Sequence, residues 1–141
     1  MREDSSYMIF ESWGGGLATM RSANHDETTV EISAKVAHDG FKYKVDEVTF
    51  HAFRGDTRLQ AVIMPGGIHV MKDAFKSCPN LRDIYIKGAP PIIGNEQWPA
   101  VIEDVFDSTH FSTVRIHVPK AQRAAYAASP WHRFRDYVCY E

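Results

Sequence analysis

The residues of this chain that could do chemistry are its seven histidines and a few closely spaced carboxylates. Ser108-Thr109-His110, next to Asp107, contains the residue types of a nucleophilic triad, and Glu103-Asp104 contains those of an acid–base pair. A triad works through side chains that converge in space, which neighbours in sequence do not ensure. We therefore expect Ser108–His110 to form a surface turn and Glu103-Asp104 to be solvated. The sequence predicts no catalytic residue and no enzymatic activity.

Two other segments contain ligand-type residues but lack the spacing that a binding site needs. His25-Asp26-Glu27 offers three metal ligands in a row, yet adjacent side chains of an extended chain point to opposite faces. Gly14-Gly15-Gly16 is followed by neither Lys-Ser/Thr nor the start of a helix, which a phosphate-binding loop would require. The sequence therefore predicts a solvated loop and a turn, with no metal site and no cofactor.

The length and composition are those of one globular domain with an ordinary core. The chain has 141 residues, of which 44% are hydrophobic and 24% charged, and its net charge is −2. There is no basic block, which argues against a nucleic-acid partner. No apolar run approaches the roughly 18 residues that a membrane-spanning helix needs. A chain of this size can bury a core without disulfides or metals.

The two cysteines and the N-terminus leave the cellular compartment open. Cys78 and Cys139 are too few for a disulfide framework and lack metal-ligand spacing, and the sequence does not tell whether they pair. Cys78 is expected to be a small buried residue. The segment that begins Met1–Ser6 has no apolar region of the signal-peptide type. Either the protein is cytoplasmic, or a leader has been removed.

An internal repeat of 22 residues predicts the elements that position these side chains. Ala52-Phe53 and Ala74-Phe75 each precede a turn and then an apolar pattern, Leu59-x-x-Val62-x-Met64 in one copy and Leu81-x-x-Ile84-x-Ile86 in the other. The phenylalanines, the leucines and the next apolar residues are each 22 positions apart (75 − 53, 81 − 59 and 84 − 62). Repeats of roughly 20–29 residues are typical of leucine-rich repeats.

Another copy of the repeat is visible when an insertion is allowed. Val105-Phe106 is followed by Phe111-x-x-Val114-x-Ile116-x-Val118, which places Val114 opposite Ile84, 30 positions earlier (114 − 84). The extra length falls in the polar segment 94–100, which we predict to be a surface loop. A first strand near residue 30 leaves room for a hairpin at Asp39-Gly40. We therefore predict four stacked parallel strands, at 29–32, 61–64, 83–86 and 113–118.

Both ends of the chain differ from the repeats. Tyr7–Phe10 and Leu17–Met20 are β-prone runs around the glycines, and Asp39-Gly40 is a strong signal for a two-residue hairpin. Lys120–Ala128 is rich in helix formers and is followed by large apolar residues. The predicted fold is a single, mainly β domain, a short right-handed solenoid of the leucine-rich-repeat type with parallel strands. It comprises N-terminal β-hairpins and the first strand (1–47), the repeat coils (48–118) and a C-terminal helical cap (119–141).

The best-preserved repeat resembles that of a known family. Ala74-Phe75-Lys76-Ser77-Cys78-Pro79-Asn80-Leu81-Arg82-Asp83-Ile84-Tyr85-Ile86 is similar to the AFxxCxxLxxIxIP unit of the BspA-like leucine-rich repeats. The segment 118–134 resembles the ending common in that family, and Asp56 departs from the pattern where the first copy would have cysteine. The resemblance implies a secreted, periplasmic or cell-surface bacterial protein whose leader has been removed. Its implied partner is a host or bacterial surface protein or a glycan.

The side chains between the buried positions of each predicted strand point outward and stack along the sheet. Tyrosine and arginine are common at binding hot spots, and solenoids bind partners on such faces. We predict a non-enzymatic, adhesion-type module that binds a protein or a glycan. The alternative is a structural, self-associating repeat domain without a ligand. The outward row is predicted to contain Glu31, Ile63, Tyr85 and Arg115, flanked by Asp83, Lys87 and His117.

Overall fold

The computed structural model describes the backbone of residues 2–5, 8–14, 17–23 and 28–141, and the side chains of 28–37, 39–134 and 138–141. The predictions for His25-Asp26-Glu27, for Tyr7 and for two of the three glycines, at 15 and 16, lie outside the described residues. The described strands are β1 (Arg2–Ser5), β2 (Met8–Gly14), β3 (Leu17–Ala23), β4 (Thr29–Glu31), β5 (Lys35–His38), β6 (Phe41–Val48), β7 (Ala61–Met64), β8 (His69–Val70), β9 (Asp83–Ile86), β10 (Ile92–Ile93), β11 (Arg115–Val118) and β12 (Val138–Tyr140). The α-helices are α1 (Ile102–Val105), α2 (His110–Thr113) and α3 (Arg123–Ala127), and two 3₁₀ segments span Lys120–Gln122 and Pro130–Tyr137.

The repeats form a five-stranded sheet, here called the repeat sheet, in the order β12-β11-β9-β7-β4. Each neighbouring pair is parallel. Side chains alternate between the two faces, so every second residue of a strand enters the core. The prediction of a mainly β fold with parallel strands and few helices is therefore confirmed. The inward residues that pair across the sheet are Val30, Val62, Ile84, Ile116 and Val138.

The predicted register of β11 is wrong by two residues. Ile84 pairs with Ile116, 32 positions later (116 − 84), and not with Val114. Val114 is buried, but it follows the last turn of α2 and donates its N–H to His110 O at 2.9 Å, so it precedes the strand. As a consequence His117 is the residue in register with Tyr85.

The strand β12 was not predicted as part of the sheet. Val138, assigned from the sequence to the cap, pairs with Ile116, and the spacing between them is again 22 residues (138 − 116). The N–H of Glu141 continues the pairing by donating to Val118 O at 2.9 Å. The repeat sheet is therefore one strand longer than the sequence suggested.

A second sheet has the order β1-β2-β3-β6-β8-β10, with β5 also paired to β6. The strands β1, β2 and β3 are antiparallel neighbours, whereas β3, β6, β8 and β10 are parallel. Asp39 and Gly40 connect β5 to β6, which pair antiparallel, and both residues have positive φ, of 51° and 79°. These are the conformations that a primed two-residue turn requires.

A column of stacked phenylalanine rings fills the core behind the repeat sheet. Phe53 and Phe75 lie 5.3 Å apart and nearly parallel, and Phe75 and Phe106 lie 5.5 Å apart in the same way. Backbone hydrogen bonds join the same turns, from Phe53 N to Ala74 O at 2.8 Å and from Phe75 N to Val105 O at 3.2 Å. Each repeat therefore places its ring on the ring of the next.

The C-terminal segment covers one end of this column. Trp131 and Phe134 contact the Phe106 ring edge-on, at 5.7 and 5.5 Å. The indole N–H of Trp131 donates to Pro91 O at 2.9 Å, and the Tyr126 hydroxyl donates to Gly88 O at the same distance. Burial raises the pKa of Tyr126 well above 10. The helix predicted over 120–128 is split, because Gln122, the last residue of the first 3₁₀ segment, has non-helical backbone angles just before α3 begins.

Replacing the central ring of the column tests its contribution to stability. Phe75→Ala should lower the free energy of unfolding by about 3–5 kcal/mol, because it removes a fully buried ring that contacts rings on both sides. Phe41→Ala is the matched control, since that ring is 68% exposed, and it should change stability by less than about 0.5 kcal/mol. Urea unfolding followed by circular dichroism measures both. A loss below about 1 kcal/mol for Phe75→Ala would contradict the central role of the column.

Candidate binding face

The outward positions of the repeat sheet form two parallel rows. The row that contains Tyr85 and the residues in register with it is called the outward row. The second runs beside it and includes Asp83 paired with Arg115. The predicted Arg115 therefore belongs to the second row, and its place beside Tyr85 is taken by His117. The outward row consists of Glu31, Ile63, Tyr85, His117 and Cys139.

His117 is the most constrained side chain of the outward row. Its Nε2 lies 2.8 Å from Asp83 Oδ1, and its Nδ1 lies 2.7 Å from Glu141 Oε1. Its ring is stacked on Tyr85, with centroids 4.2 Å apart and planes within 12°. Ionised carboxylates only accept hydrogen bonds. Both ring nitrogens can donate only when the ring is protonated, so the two carboxylates favour the imidazolium form of His117.

The balance of burial and charge sets the protonation of His117. Burial disfavours the cation and lowers the pKa, but the hydrogen bonds to Asp83 and Glu141 and the charges of these two carboxylates raise it. The net result is a pKa above the ordinary 6.5. The cation also faces the π-system of Tyr85, an arrangement that is favourable for a positive group.

A groove of about 360 Å³ lies over the middle of the outward row. Its walls are mostly apolar, and they include the charged side chains of Lys87 and Glu141. Lys87 lies 3.2 Å from Glu31, and both side chains are more than half exposed, so this ion pair contributes at most about 1 kcal/mol. The groove is lined by Ile63, Tyr85, Ile86, Lys87, His117, Val118, Pro119 and Glu141.

The structure brings together most of the predicted outward residues, with two exceptions. Ile63, Tyr85 and His117 line the groove, and Asp83 holds His117 from the second row. Glu31 stands at the margin, tied to Lys87, and Arg115 is not among the lining residues. Glu141 was missed because β12 was not expected to extend the sheet.

The candidate catalytic segment has a structural role. His110 is 2% exposed, so the predicted surface turn at Ser108–His110 is wrong for this residue. Its Nε2 donates to Cys78 O at 2.8 Å, and its Nδ1 accepts from Asp107 N at 3.2 Å. Both ring nitrogens are bound to backbone groups, which leaves no lone pair to act as a general base.

The remaining titratable residues also have structural environments. Glu103 is exposed and lies 3.8 Å from Arg133, as expected for a solvated carboxylate, whereas Asp104 accepts a hydrogen bond from Val101 N. Cys78 is buried, donates to Phe53 O at 3.0 Å, and has its pKa raised to about 12 by burial. No disulfide joins it to Cys139. Among the described residues, no group of three or more His, Cys, Asp or Glu side chains could hold a metal ion.

Proteins of known structure that resemble this chain contain leucine-rich repeats. A leucine-rich repeat protein from Bacteroides capillosus ATCC 29799 matches it with a TM-score of 0.60 and 17% identity, over 83% of this chain and 97% of that chain. This chain has the leucine-rich repeat fold. A leucine rich cell surface protein from Faecalibacterium prausnitzii A2-165 matches with a TM-score of 0.56 and 17% identity, over 100% of this chain. This chain spans 30% of the length of that second protein.

The fold is consistent with the resemblance to BspA-like repeats and with a repeat-type binding or structural module. No family model matches the sequence, and no curated protein is significantly similar to it. Within the described parts of the leucine-rich repeat chain, no helix is both long and apolar enough to cross a membrane.

The raised pKa of His117 predicts how stability depends on pH. An unfolded histidine has a pKa of about 6.5, so the stabilisation is fully present below that pH and is lost as the pH rises through the higher folded-state pKa. The difference in unfolding free energy between the wild type and His117→Gln should therefore be largest near pH 5.5 and shrink in alkaline solution.

An NMR titration of the His117 ring measures the same pKa directly. Glu141→Gln removes one of the two negative acceptors and should lower the pKa of His117. A midpoint at or below 6.5 in the wild-type protein would contradict the bridging cation.

Proposed function

We propose that this protein is a non-enzymatic, adhesion-type binding module, built as a short right-handed solenoid with a helical cap. The observation that supports this most is the Tyr85–His117 pair in the groove of the outward row. Tyr85 is 38% exposed, although its ring is stacked and its neighbour is fixed by two carboxylates. An exposed aromatic side chain held in one orientation binds with little loss of conformational entropy.

The shape and lining of the groove favour a protein partner. A volume of about 360 Å³ is at the small end of binding pockets, which suits one or two anchoring side chains. Ile63, Ile86 and Val118 offer an apolar wall, while Lys87 and Glu141 offer one charge of each sign. We infer that a partner inserts an apolar or aromatic side chain over Tyr85 and meets the charged groups with its own polar rim.

The proposed location is a bacterial surface or the space outside the cell. The resemblance of 74–86 to BspA-like repeats implies a secreted, periplasmic or surface protein. A structurally similar protein from Faecalibacterium prausnitzii is described as a cell surface protein, which agrees with that proposal. A partner presented by a host or by another bacterium fits a module with this location.

The binding proposal is tested by comparing one variant inside the groove with one beside it. Tyr85→Ala should reduce retention on an array of host-matrix and bacterial surface proteins by about tenfold or more, because it removes the central anchor. Arg115→Ala is the control: it removes an exposed side chain of the same sheet that does not line the groove. It should change retention by less than about twofold.

Both variants should melt near the wild-type temperature, since both side chains are exposed. Equal retention of the wild type and Tyr85→Ala would overturn the groove as the binding face. A glycan array run in parallel identifies the partner class: retention there alone, lost in Tyr85→Ala, would replace the protein partner by a glycan.

A second candidate function is self-association, and the position of β12 is the observation that favours it. This strand pairs with β11 on one side, and no other described strand pairs with its opposite edge. An open strand edge is a template for pairing with another chain. Light scattering at about 100 µM should then give the mass of a dimer or larger. A strict monomer at that concentration would contradict self-association.

A further inference from the structure

A second cleft, separate from the outward row, lies between the end of β6 and the loop that follows β10. It has a volume of about 400 Å³. One wall comes from β6 and the residues after it, and the other comes from the loop 94–99, which the sequence showed as an insertion into the repeat. The cleft is lined by Glu47, Thr49, Phe50, Asn95, Gln97 and Trp98.

An aromatic pair joins the two walls of this cleft. The Trp98 side chain is 54% exposed, and its ring meets Phe50 edge-to-face with centroids 5.9 Å apart. Leaving a large apolar ring in water is unfavourable, and tryptophan in this position is typical of binding sites. The two rings stand at right angles and form an apolar corner beside polar groups.

The loop that carries Trp98 is braced in one shape. Trp98 N donates to Asn95 Oδ1 at 2.6 Å, and Asn95 N donates to Trp98 O at 3.1 Å. Gly94 has φ of 73°, and a Cβ there would lie 2.6 Å from Ala100 N, so only glycine fits this close approach. The loop is tied to β8 by Gly94 N, which donates to Val70 O at 2.9 Å, and by the ring of His69 on Gly94 O at 2.8 Å. The tryptophan is therefore preorganised although it is exposed.

Polar side chains from both walls complete the cleft. Burial raises the pKa of Glu47 above 4.5, while the Thr49 hydroxyl and the charge of His69 partly oppose this shift. Within the described part of the chain, no hydrogen bond involves the side-chain Nδ2 of Asn95 or the side chain of Gln97. These groups supply carboxylate acceptors and amide donors and acceptors around the aromatic wall.

We propose that this cleft binds one or two sugar residues of a neutral or amino-substituted glycan. A pyranose ring has an apolar C–H face that can lie on Trp98, and a rim of hydroxyl groups that can pair with Glu47, Asn95 and Gln97. The negative charge of Glu47 disfavours uronic and sialic acids, because a second carboxylate would be repelled in a partly desolvated cleft. This site does not depend on the Tyr85 groove, which belongs to the other sheet.

A glycan array of the full chain tests the site, followed by calorimetry with N-acetylglucosamine, galactose, glucose and glucuronic acid oligosaccharides. The wild type should retain neutral or amino sugars and not the acidic one. Trp98→Ala should weaken binding about tenfold or more, and Glu47→Gln should weaken it severalfold, because the first removes the stacking surface and the second one strong acceptor.

Two controls separate this site from general effects. Val101→Ala removes an equally exposed apolar side chain just beyond the cleft, 58% exposed, and should leave sugar binding unchanged. Tyr85→Ala should also leave it unchanged, so that this site and the proposed protein-binding groove can fail independently. Melting temperatures of all variants verify folding.

The sugar-binding proposal is contradicted by the following results. No retained glycan, or equal retention by the wild type and Trp98→Ala, contradicts a sugar site. A preference for the glucuronic acid oligosaccharide contradicts the role of Glu47. Binding of aromatic peptides that depends on Trp98, without any sugar binding, assigns the cleft to protein recognition.

Discussion

The register of the parallel strands is the constraint on which both the core and the binding face depend. Val62, Ile84 and Ile116 lie side by side on the inward face of the repeat sheet. Strands in a sheet are about 4.8 Å apart, and the rings of the phenylalanine column are 5.3 and 5.5 Å apart. One repeat therefore stacks the strands on one side of the coil and the rings on the other. A slip of one residue would bury the outward row and expose the core residues.

Close approach of backbones allows the coils to stack so tightly. A Cβ at Gly66 would lie 2.5 Å from Ala89 N and 2.6 Å from the Cα of Gly88, the residue 22 positions later (88 − 66). Gly67 N donates to Ala89 O at 3.1 Å in the same place. The turns after β7 and β9 thus contact each other through main-chain atoms, and side chains there would separate the coils. The flat outward row between these turns is a product of the same stacking.

The sequence was sufficient to predict the bounds and the register of the strands where adjacent coils have equal length. The strands β7 and β9 were predicted with their observed bounds, because Leu59-x-x-Val62 and Leu81-x-x-Ile84 recur after 22 residues without an insertion. It was insufficient for β11, where Val114, Ile116 and Val118 alternate and fit either register. The end of α2 at Thr113 decides between them, and the apolar pattern contains no signal for that end. The three-residue β12 lacks a preceding Leu-x-x pattern altogether.

The same dependence on coils of equal length explains which parts of the binding face could be predicted. Tyr85 and Ile63 follow from the regular coils, and His117 was named only as a flanking residue because the register was off by two. Its partner Glu141 is near in space through β12, 24 residues away in sequence. His110 looked like part of an exposed turn, since nothing in its neighbours shows that the carbonyl of Cys78, in another coil, binds its ring. The braced Trp98 loop was recognised as an insertion, but its pairing with Phe50 depends on how the second sheet folds.

The register at Tyr85 is tested most directly by nuclear Overhauser contacts between side chains of β9 and β11. We expect strong ring-to-ring contacts between Tyr85 and His117, whose centroids are 4.2 Å apart, together with contacts across the Ile84–Ile116 pair. Strong contacts from the Tyr85 ring to Arg115, with Ile84 next to Val114, would contradict it. That result would remove His117 from the outward row and with it the geometry of the groove.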